Sequence, residues 1–460
     1  MSTFAAIGYL ILGLSILVTI HELGHYLPAK WFGMRVDKFY LFFDWPRKLF
    51  SFKVGETEYG VGLLPLGGYV KIAGIIDESM DKEHTTAEPQ PWEFRSKPVW
   101  QRAVVMIGGV TMNVLLGCAI FIGLKLTYGE QKTPITEIHN GLYVEKGSLA
   151  EEFGFRTGDR LVSFKGEPIK YFDDVATPAV LMAEDAWFEV ERPVLNGLGT
   201  AERYVRVKIT LPADAINAFT ARKSKSSVLL APNLDNTILV VKPEGGNPTL
   251  PAYKAGLQDG DQIVQIDSVR ILGFHHMREV LQARKGQEIT LAYVRKNDTL
   301  NTRIALDSTG ILGLLPGQKF KEDTLSYGVG AAIGAGIAEG FNTIGDNITG
   351  LKKVAKGEAS ARDNLAGPVA MVGFYGRAVS NGGLVGFLKL TAMLSMVLAF
   401  MNILPIPALD GGHLVFLLVE AVTGREPSLN VRIAAQYIGM FILLSLMLFI
   451  FFNDFSKLFA

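Results

Sequence analysis

From Phe4 to Ile20 the chain carries no charged side chain, and it then reads His21-Glu22-Leu23-Gly24-His25. An apolar run of this length is a membrane-helix signal, and three ionisable groups at its end are costly there unless they pair or bind something. On a helix, His21 and His25 lie one turn apart on one face, so two imidazoles can share a metal ion while Glu22 stands beside them. Two nitrogen ligands with an adjacent carboxylate suit Zn2+ and a general base acting on its bound water. The plainer reading is a polar cluster capping a membrane helix at the headgroups. With only 7 His in the chain, a chance match to this spacing is rare.

Composition agrees with a membrane protein. A chain of 460 residues exceeds one core, and 49% hydrophobic content with a mean hydropathy of +0.25 is high for a soluble protein. Basic and acidic residues balance at 45 each, which removes the electrostatic case for nucleic-acid binding. Cys118 is the single cysteine, so no internal disulfide can form. No basic leader or small-residue cleavage pattern precedes the motif, and Phe4 onward is expected to be a retained span.

The first span covers 1–29, with Pro28 and Trp31 marking its exit. Lys30, Arg35 and Lys38 follow it, and Arg95, Lys97 and Arg102 precede the next apolar run, so the positive-inside rule puts the loop 30–102 in the cytoplasm and the N-terminus outside. Within that loop Glu58 to Ile72 is apolar and punctuated by glycine. It predicts a β-hairpin at the membrane surface, able to pair with an extended peptide or to serve only as a loop. Asp77 to Gln90 is polar and reads as a linker. The second span, 103–126, carries Gly108, Gly109 and Gly117, small residues that let helices approach, and should pack on the first.

From about Thr133 the composition turns globular, and a repeat emerges. Gly154-Phe155-Arg156-Thr157-Gly158-Asp159-Arg160-Leu161-Val162 returns as Gly256-Leu257-Gln258-Asp259-Gly260-Asp261-Gln262-Ile263-Val264. Each copy is preceded by a small-residue helix start and followed by a strand, a turn and a strand, which resembles two tandem PDZ domains, 133–230 and 231–316. Such modules take an extended peptide along a sheet edge, or act as spacers. The first copy has an insert-like tail from Pro193 to Ser227. Residues 325–380, rich in Gly and Ala with scattered charges, predict an amphipathic surface helix. A third span, 385–412, is broken by Asn402, Pro405, Pro407 and Asp410-Gly411-Gly412, and a fourth covers 431–453. The expected fold is thus a polytopic α-helical membrane protein of four spans with two extracytoplasmic PDZ-like domains, both termini outside.

A hydrolytic zinc site takes three protein ligands and leaves one position for water, so His21 and His25 need a partner. Asp410, acidic at the broken end of an apolar segment, comes to the same side as His25 in this topology. His413 is the rival, as ligand or as its support. Asn402 could donate to a scissile carbonyl oxygen or hold substrate backbone; the alternative is an interhelical hydrogen bond.

The HExxH of the first span, Asn402-x-x-Pro405-x-x-x-x-Asp410-Gly411 in the third, Pro65-x-Gly67-Gly68 in the loop and the PDZ tandem between spans two and three together resemble bacterial site-2 proteases of the regulator-of-sigma-E type, over essentially the whole chain. The resemblance implies a zinc-dependent intramembrane endopeptidase of the bacterial inner membrane. Its substrates would be single-span proteins within the lipid bilayer, of the anti-sigma-factor type, already trimmed by an upstream site-1-type protease, or remnant signal peptides. The PDZ tandem would filter out untrimmed ectodomains. One departure is that many relatives carry Gly-Phe-Gly where this chain reads Leu41-Phe42-Phe43-Asp44-Trp45, so substrate contacts of that loop are not carried over.

The expected chemistry is peptide hydrolysis, with His21, His25 and Asp410 holding Zn2+, Glu22 as base and Asn402 steadying substrate. Two other readings compete: a membrane-anchored zinc protease acting on exposed loops, which would want a third ligand in a soluble segment, and a non-enzymatic PDZ receptor or scaffold, whose closed metal site would need a fourth protein ligand.

Overall fold

The computed structural model describes the chain apart from residues 1, 66, 76–88, 178, 196–200, 222–228, 242–249, 359, 361, 363–366 and 459–460. Most of the expected linker 77–90 therefore lies outside the described residues. The chain divides into two compact units, one formed by Met1–Gly129 with Ser326–Ala460 and the other by Glu130–Leu325.

The first unit is built on helices α1 (Thr3–Trp31), α2 (Val99–Tyr128), α3 (Val329–Ala355), α4 (Pro368–Ile403), α5 (Asp410–Thr423) and α6 (Leu429–Leu458). Four of them, α1, α2, α4 and the stretch Leu429–Ser456 of α6, are long and apolar enough to cross a membrane. Ser2 caps α1 by accepting from the Ala5 amide. The N-terminus of α4 is capped from far along the chain: Asp454, buried near the end of α6, accepts from the amides of Gly367 and Ala370 at 3.2 and 3.0 Å. A carboxylate there satisfies orphan donors and complements the helix dipole.

The helix that carries the third candidate span starts earlier than its hydropathy suggests. Helix α4 begins at Pro368 and passes through a non-helical Gly383 (φ 54), so 368–382, grouped by composition with the surface region, forms the first limb of a kinked helix. Composition missed this because the Ser380-Asn381-Gly382-Gly383 break reads as a boundary, whereas it is a bend that glycine makes cheap. Helix α3 lies against α2 and α4 through its small residues. Gly336 meets Ile122, and Gly340 meets Cys118 and Met396.

Between α1 and α2 lies a sheet of β1 (Val36–Leu41), β2 (Phe43–Val54), β3 (Thr57–Leu64) and β4 (Tyr69–Ile72), in the order β2-β3-β1-β4. The expected hairpin over 58–72 is not what forms. The hairpin is β2–β3, turning at Gly55 (φ 60), while β3 and β4 both pair with β1, in parallel and antiparallel fashion respectively. The reason is Tyr40, which pairs with Gly60 on one side and Tyr69 on the other. Its buried ring lies over Gly60, where a Cβ would meet it at 2.5 Å. Strand β4 is thus an edge strand. The sheet docks on the helix ends through a buried cluster of Ala29, Met34, Val36, Ile72, Phe94, Val105 and Leu417, which ties α1, α2 and α5 together.

The second unit holds β-sheet regions consistent with two PDZ-like domains. The first has β6 (Leu142–Tyr143) paired with β11 (Ala231–Pro232) and a sheet of β7 (Arg160–Phe164), β8 (Glu167–Pro168), β9 (Trp187–Leu195) and β10 (Ala201–Thr210). The second repeats it, with β12 (Ile238–Val240) on β17 (Leu314–Pro316) and β13 (Gln262–Ile266), β14 (Val269–Arg270), β15 (Glu288–Arg295) and β16 (Asp298–Ala305). The insert of the first copy is shorter than the sequence suggests, since Pro193 to Leu195 end β9 and 201–210 form the paired strand β10. A short β5 (Glu130–Lys132) and β18 (Asp323–Leu325) pair antiparallel, so the chain enters and leaves this unit on adjacent strands.

The repeated Gly-x-x-x-Gly-Asp motif is an internal fastener. Gly154 and Gly158 (φ 100 and 94), like Gly256 and Gly260 (φ 76 and 91), occupy the left-handed region. Asp159, fully buried, accepts from Arg192 Nε at 2.8 Å and Nη2 at 2.7 Å, and from the Arg156 amide at 2.8 Å. Asp261 does the same with Arg295 and the Gln258 amide.

Candidate metal centre

Helix α1 presents His21 and His25 on one face, as one-turn spacing requires, and both are buried. Their Nε2 atoms are 3.3 Å apart with the rings edge to face. Asp410 is brought to them by a sharp reversal. Helix α4 ends at Ile403, Ala408 adopts φ 83, and α5 starts at Asp410. Gly411 and Gly412 are required there, because a Cβ on Gly412 would meet the Ile406 carbonyl oxygen at 2.5 Å and one on Gly411 would overlap the carbonyl of Leu404. The far end of α5 is held by Leu417 in the buried cluster and by an ion pair from Glu420 to buried Arg102 of α2.

The outcome is a triangle. Asp410 Oδ2 lies 3.4 Å from each imidazole Nε2, and this oxygen is buried with no hydrogen bond. A tetrahedral zinc with bonds of about 2.0–2.1 Å has ligand–ligand edges of about 3.3–3.4 Å, so the three donor atoms span one face of such a site. An orphaned carboxylate oxygen beside two imidazole nitrogens is what a bound cation would satisfy. Room is left by α2: a Cβ on Gly109 would overlap His25 Nε2 and lie 2.6 Å from His21 Cε1. The residues present fit the metal.

Among the described residues no other His, Cys, Asp or Glu joins this group. His413 lines a separate cavity with Phe94, Arg102, Glu420 and Arg432. Glu22, half-buried, sits beside the ligands, with its Cγ packed near Gly68 of the loop before β4. Asn402, in the last turn of α4, places Nδ2 3.1 Å from His21 Nε2. His25 Nδ1 lies 2.9 Å from the Val105 carbonyl oxygen of α2, so Nδ1 donates and Nε2 keeps its lone pair.

Sequence reasoning missed the contribution of α2. Val105 acts through its backbone and leaves no sequence signal. Asn113, whose Nδ2 is 3.1 Å from His21 Nδ1, left one: an amide in the middle of an apolar span, where polar groups are costly. Of the glycines, Gly108 meets Gly24 of α1 as expected, but Gly117 faces Met396 of α4.

The model of peptidase family M50 matches residues 9–446. The Regulator of sigma E protease of Haemophilus influenzae is 28% identical over 475 residues, covering 100% of each chain, and Protease RseP of Yersinia pestis is 28% identical over 480 residues with the same coverage. A Xylella fastidiosa chain whose name carries the words zinc metalloprotease is 29% identical over 467 residues, 98% of each. With a His-His-Asp donor set held among apolar helices and a family match across nearly its whole length, this chain belongs to peptidase family M50, as a multi-pass membrane zinc metalloprotease.

Proposed function

We propose that this metalloprotease cuts peptide bonds within the transmembrane segment of single-span membrane proteins, with His21, His25 and Asp410 as the zinc ligands. The observation that carries the reading is the donor triangle itself, built from α1 and the turn after α4 and walled by α2, all helices apolar enough to cross a membrane. Zinc, when bound, polarises the scissile carbonyl and activates water. Glu22 takes the proton from that water and passes it to the leaving amine nitrogen as the C–N bond breaks. The Asn402 amide, whose partner Nε2 of His21 is occupied once ligated, turns its N–H to the substrate carbonyl oxygen or backbone.

A helical substrate must unwind before its carbonyls can react, because each is hydrogen-bonded internally. Edge strand β4, next to Glu22 by way of Gly68, offers replacement backbone pairing. The topology in this proposal keeps the loop with β1–β4 cytoplasmic, and the termini and PDZ-like domains outside the bacterial inner membrane. The name of the H. influenzae relative, Regulator of sigma E protease, supports a substrate in sigma-factor control; in this proposal it is of the anti-sigma-factor type and is trimmed beforehand by an upstream protease.

The test is cleavage of a purified single-span substrate by wild type and Glu22→Gln, with the cut bond located by mass spectrometry. A cut inside the apolar segment, lowered by about 10²–10⁴-fold or more in the variant while zinc is retained, is expected. Cuts confined to exposed loops would establish the membrane-anchored alternative instead.

A further inference from the structure

Asn113 stands at the middle of α2, its side chain fully buried. Its Nδ2 faces His21 Nδ1 at 3.1 Å, and its Oδ1 is buried with no hydrogen-bond partner. A buried amide oxygen without a donor is costly and calls for a state in which it is used. The backbone here is held independently, since Ser395 Oγ donates to the Asn113 carbonyl oxygen at 2.8 Å. The side chain is therefore not needed to join α2 to α4.

The two histidines differ in what their Nδ1 atoms meet. His25 faces a carbonyl oxygen, which only accepts, so its proton sits on Nδ1 and Nε2 is ready to ligate. His21 faces an amide nitrogen, which only donates. Its Nε2, the atom turned toward Asp410, also faces an amide nitrogen, Asn402 Nδ2 at 3.1 Å. A neutral His21 that ligates through Nε2 must carry its proton on Nδ1 and needs an acceptor there. A half-turn of the Asn113 amide exchanges oxygen and nitrogen without changing the side chain's shape and sets the orphaned Oδ1 on that proton.

We propose, resting on His21 as a zinc ligand, that Asn113 is the positioning residue for His21. Its amide oxygen accepts the Nδ1 proton when Nε2 is ligated. Helix α2 then sets the tautomer of both histidines, one through a backbone carbonyl and one through a side chain.

The experiment measures zinc affinity by chelator competition on the full-length protein in detergent, for wild type, Asn113→Leu and Asn113→Asp, with the melting temperature of each metal-free protein as a fold control. Leucine keeps the volume and removes the acceptor, so affinity should fall about 10–100-fold. Aspartate is an acceptor in every orientation, so its affinity should equal or exceed that of wild type. A residue that served only to pack helices would tolerate leucine better than a buried charge and give the reverse order. Wild-type affinity in a folded Asn113→Leu overturns the positioning role and leaves the zinc site standing. A tenfold loss in Asn113→Asp overturns it even where the leucine variant fails to fold. Absence of zinc binding by wild type overturns the ligand assignment and this inference together.

Discussion

Gly24 of α1 and Gly108 of α2 meet backbone to backbone, so close that a Cβ on either would overlap the other's carbonyl group. This approach is what puts the Val105 carbonyl within hydrogen-bonding distance of His25 and Asn113 beside His21. Small residues let two helices come this near in lipid, and here the closeness serves the metal ligands directly.

The next glycine gives the sharpest prediction. Gly109→Ala would place a methyl group among the ligand atoms of His25 and His21, so zinc content and proteolysis should both be lost. Overpacking of this kind costs about 1–3 kcal/mol, which need not unfold the bundle. Gly123→Ala, on the same helix with nothing within 4 Å of its Cβ position, is the control and should behave as wild type. Equal zinc content in the two variants would show that the space over Gly109 is not the metal site.

Asp410 and His413 can be separated in the same assay. Asp410→Asn should weaken zinc binding by more than about 100-fold, beyond the 10–100-fold typical of a supporting partner. His413→Ala should leave it near wild type, because His413 lines the cavity with Arg102 and Glu420 and lies outside the donor triangle. The opposite result would exchange their roles.

Much of this centre was legible because its chemistry is expensive. His21, Glu22, His25 and Asp410 stand at the ends of apolar runs, where an ionisable group needs a reason. What was not legible depends on pairing across the chain. The glycine-rich run 58–72 reads in sequence as a hairpin folding on itself, but both of its strands pair with β1, and nothing within the run announces the third strand. The motif around Asp159 is visible as a repeat, while its partner Arg192, matched by Arg295 in the second copy, lies far beyond the motif on a strand that otherwise differs between the copies.

That pair yields a stability prediction. Asp159 is fully buried and binds Arg192 in a two-pronged fashion, so Asp159→Ala would strand a guanidinium and the Arg156 amide. Breaking a buried ion pair from one side costs about 3–5 kcal/mol. Proteolysis of the variant should become rapid within 133–230, while cleavage of a trimmed substrate is unchanged. Wild-type resistance would mean that the motif does not fasten the domain.

Orientation can be read by cysteine labelling in a Cys118→Ala background. A probe at exposed Lys53, in the β2–β3 hairpin, should react only from the cytoplasmic side, and one at exposed Asp298 only from the outer side. The reverse pattern would overturn the proposed topology.

The PDZ-like unit is expected to select substrates and to contribute nothing to the chemistry, since every residue assigned to the metal, the base and the substrate amide belongs to the other unit. The structure suggests how to remove it cleanly. Glu130–Lys132 and Asp323–Leu325 run antiparallel, with Lys132 paired to Asp323, so the two ends left by deleting 133–322 already lie side by side. A two-residue Asn-Gly turn can join such strands as a hairpin, and joining close ends seldom disturbs the core they leave. This variant should insert, hold zinc and cleave a trimmed substrate as wild type does. A substrate that keeps a large folded outer domain, refused by the full chain, should now be cut at a comparable rate. If the variant holds zinc yet cleaves neither substrate, the unit helps to open the active site, and its role as a filter falls.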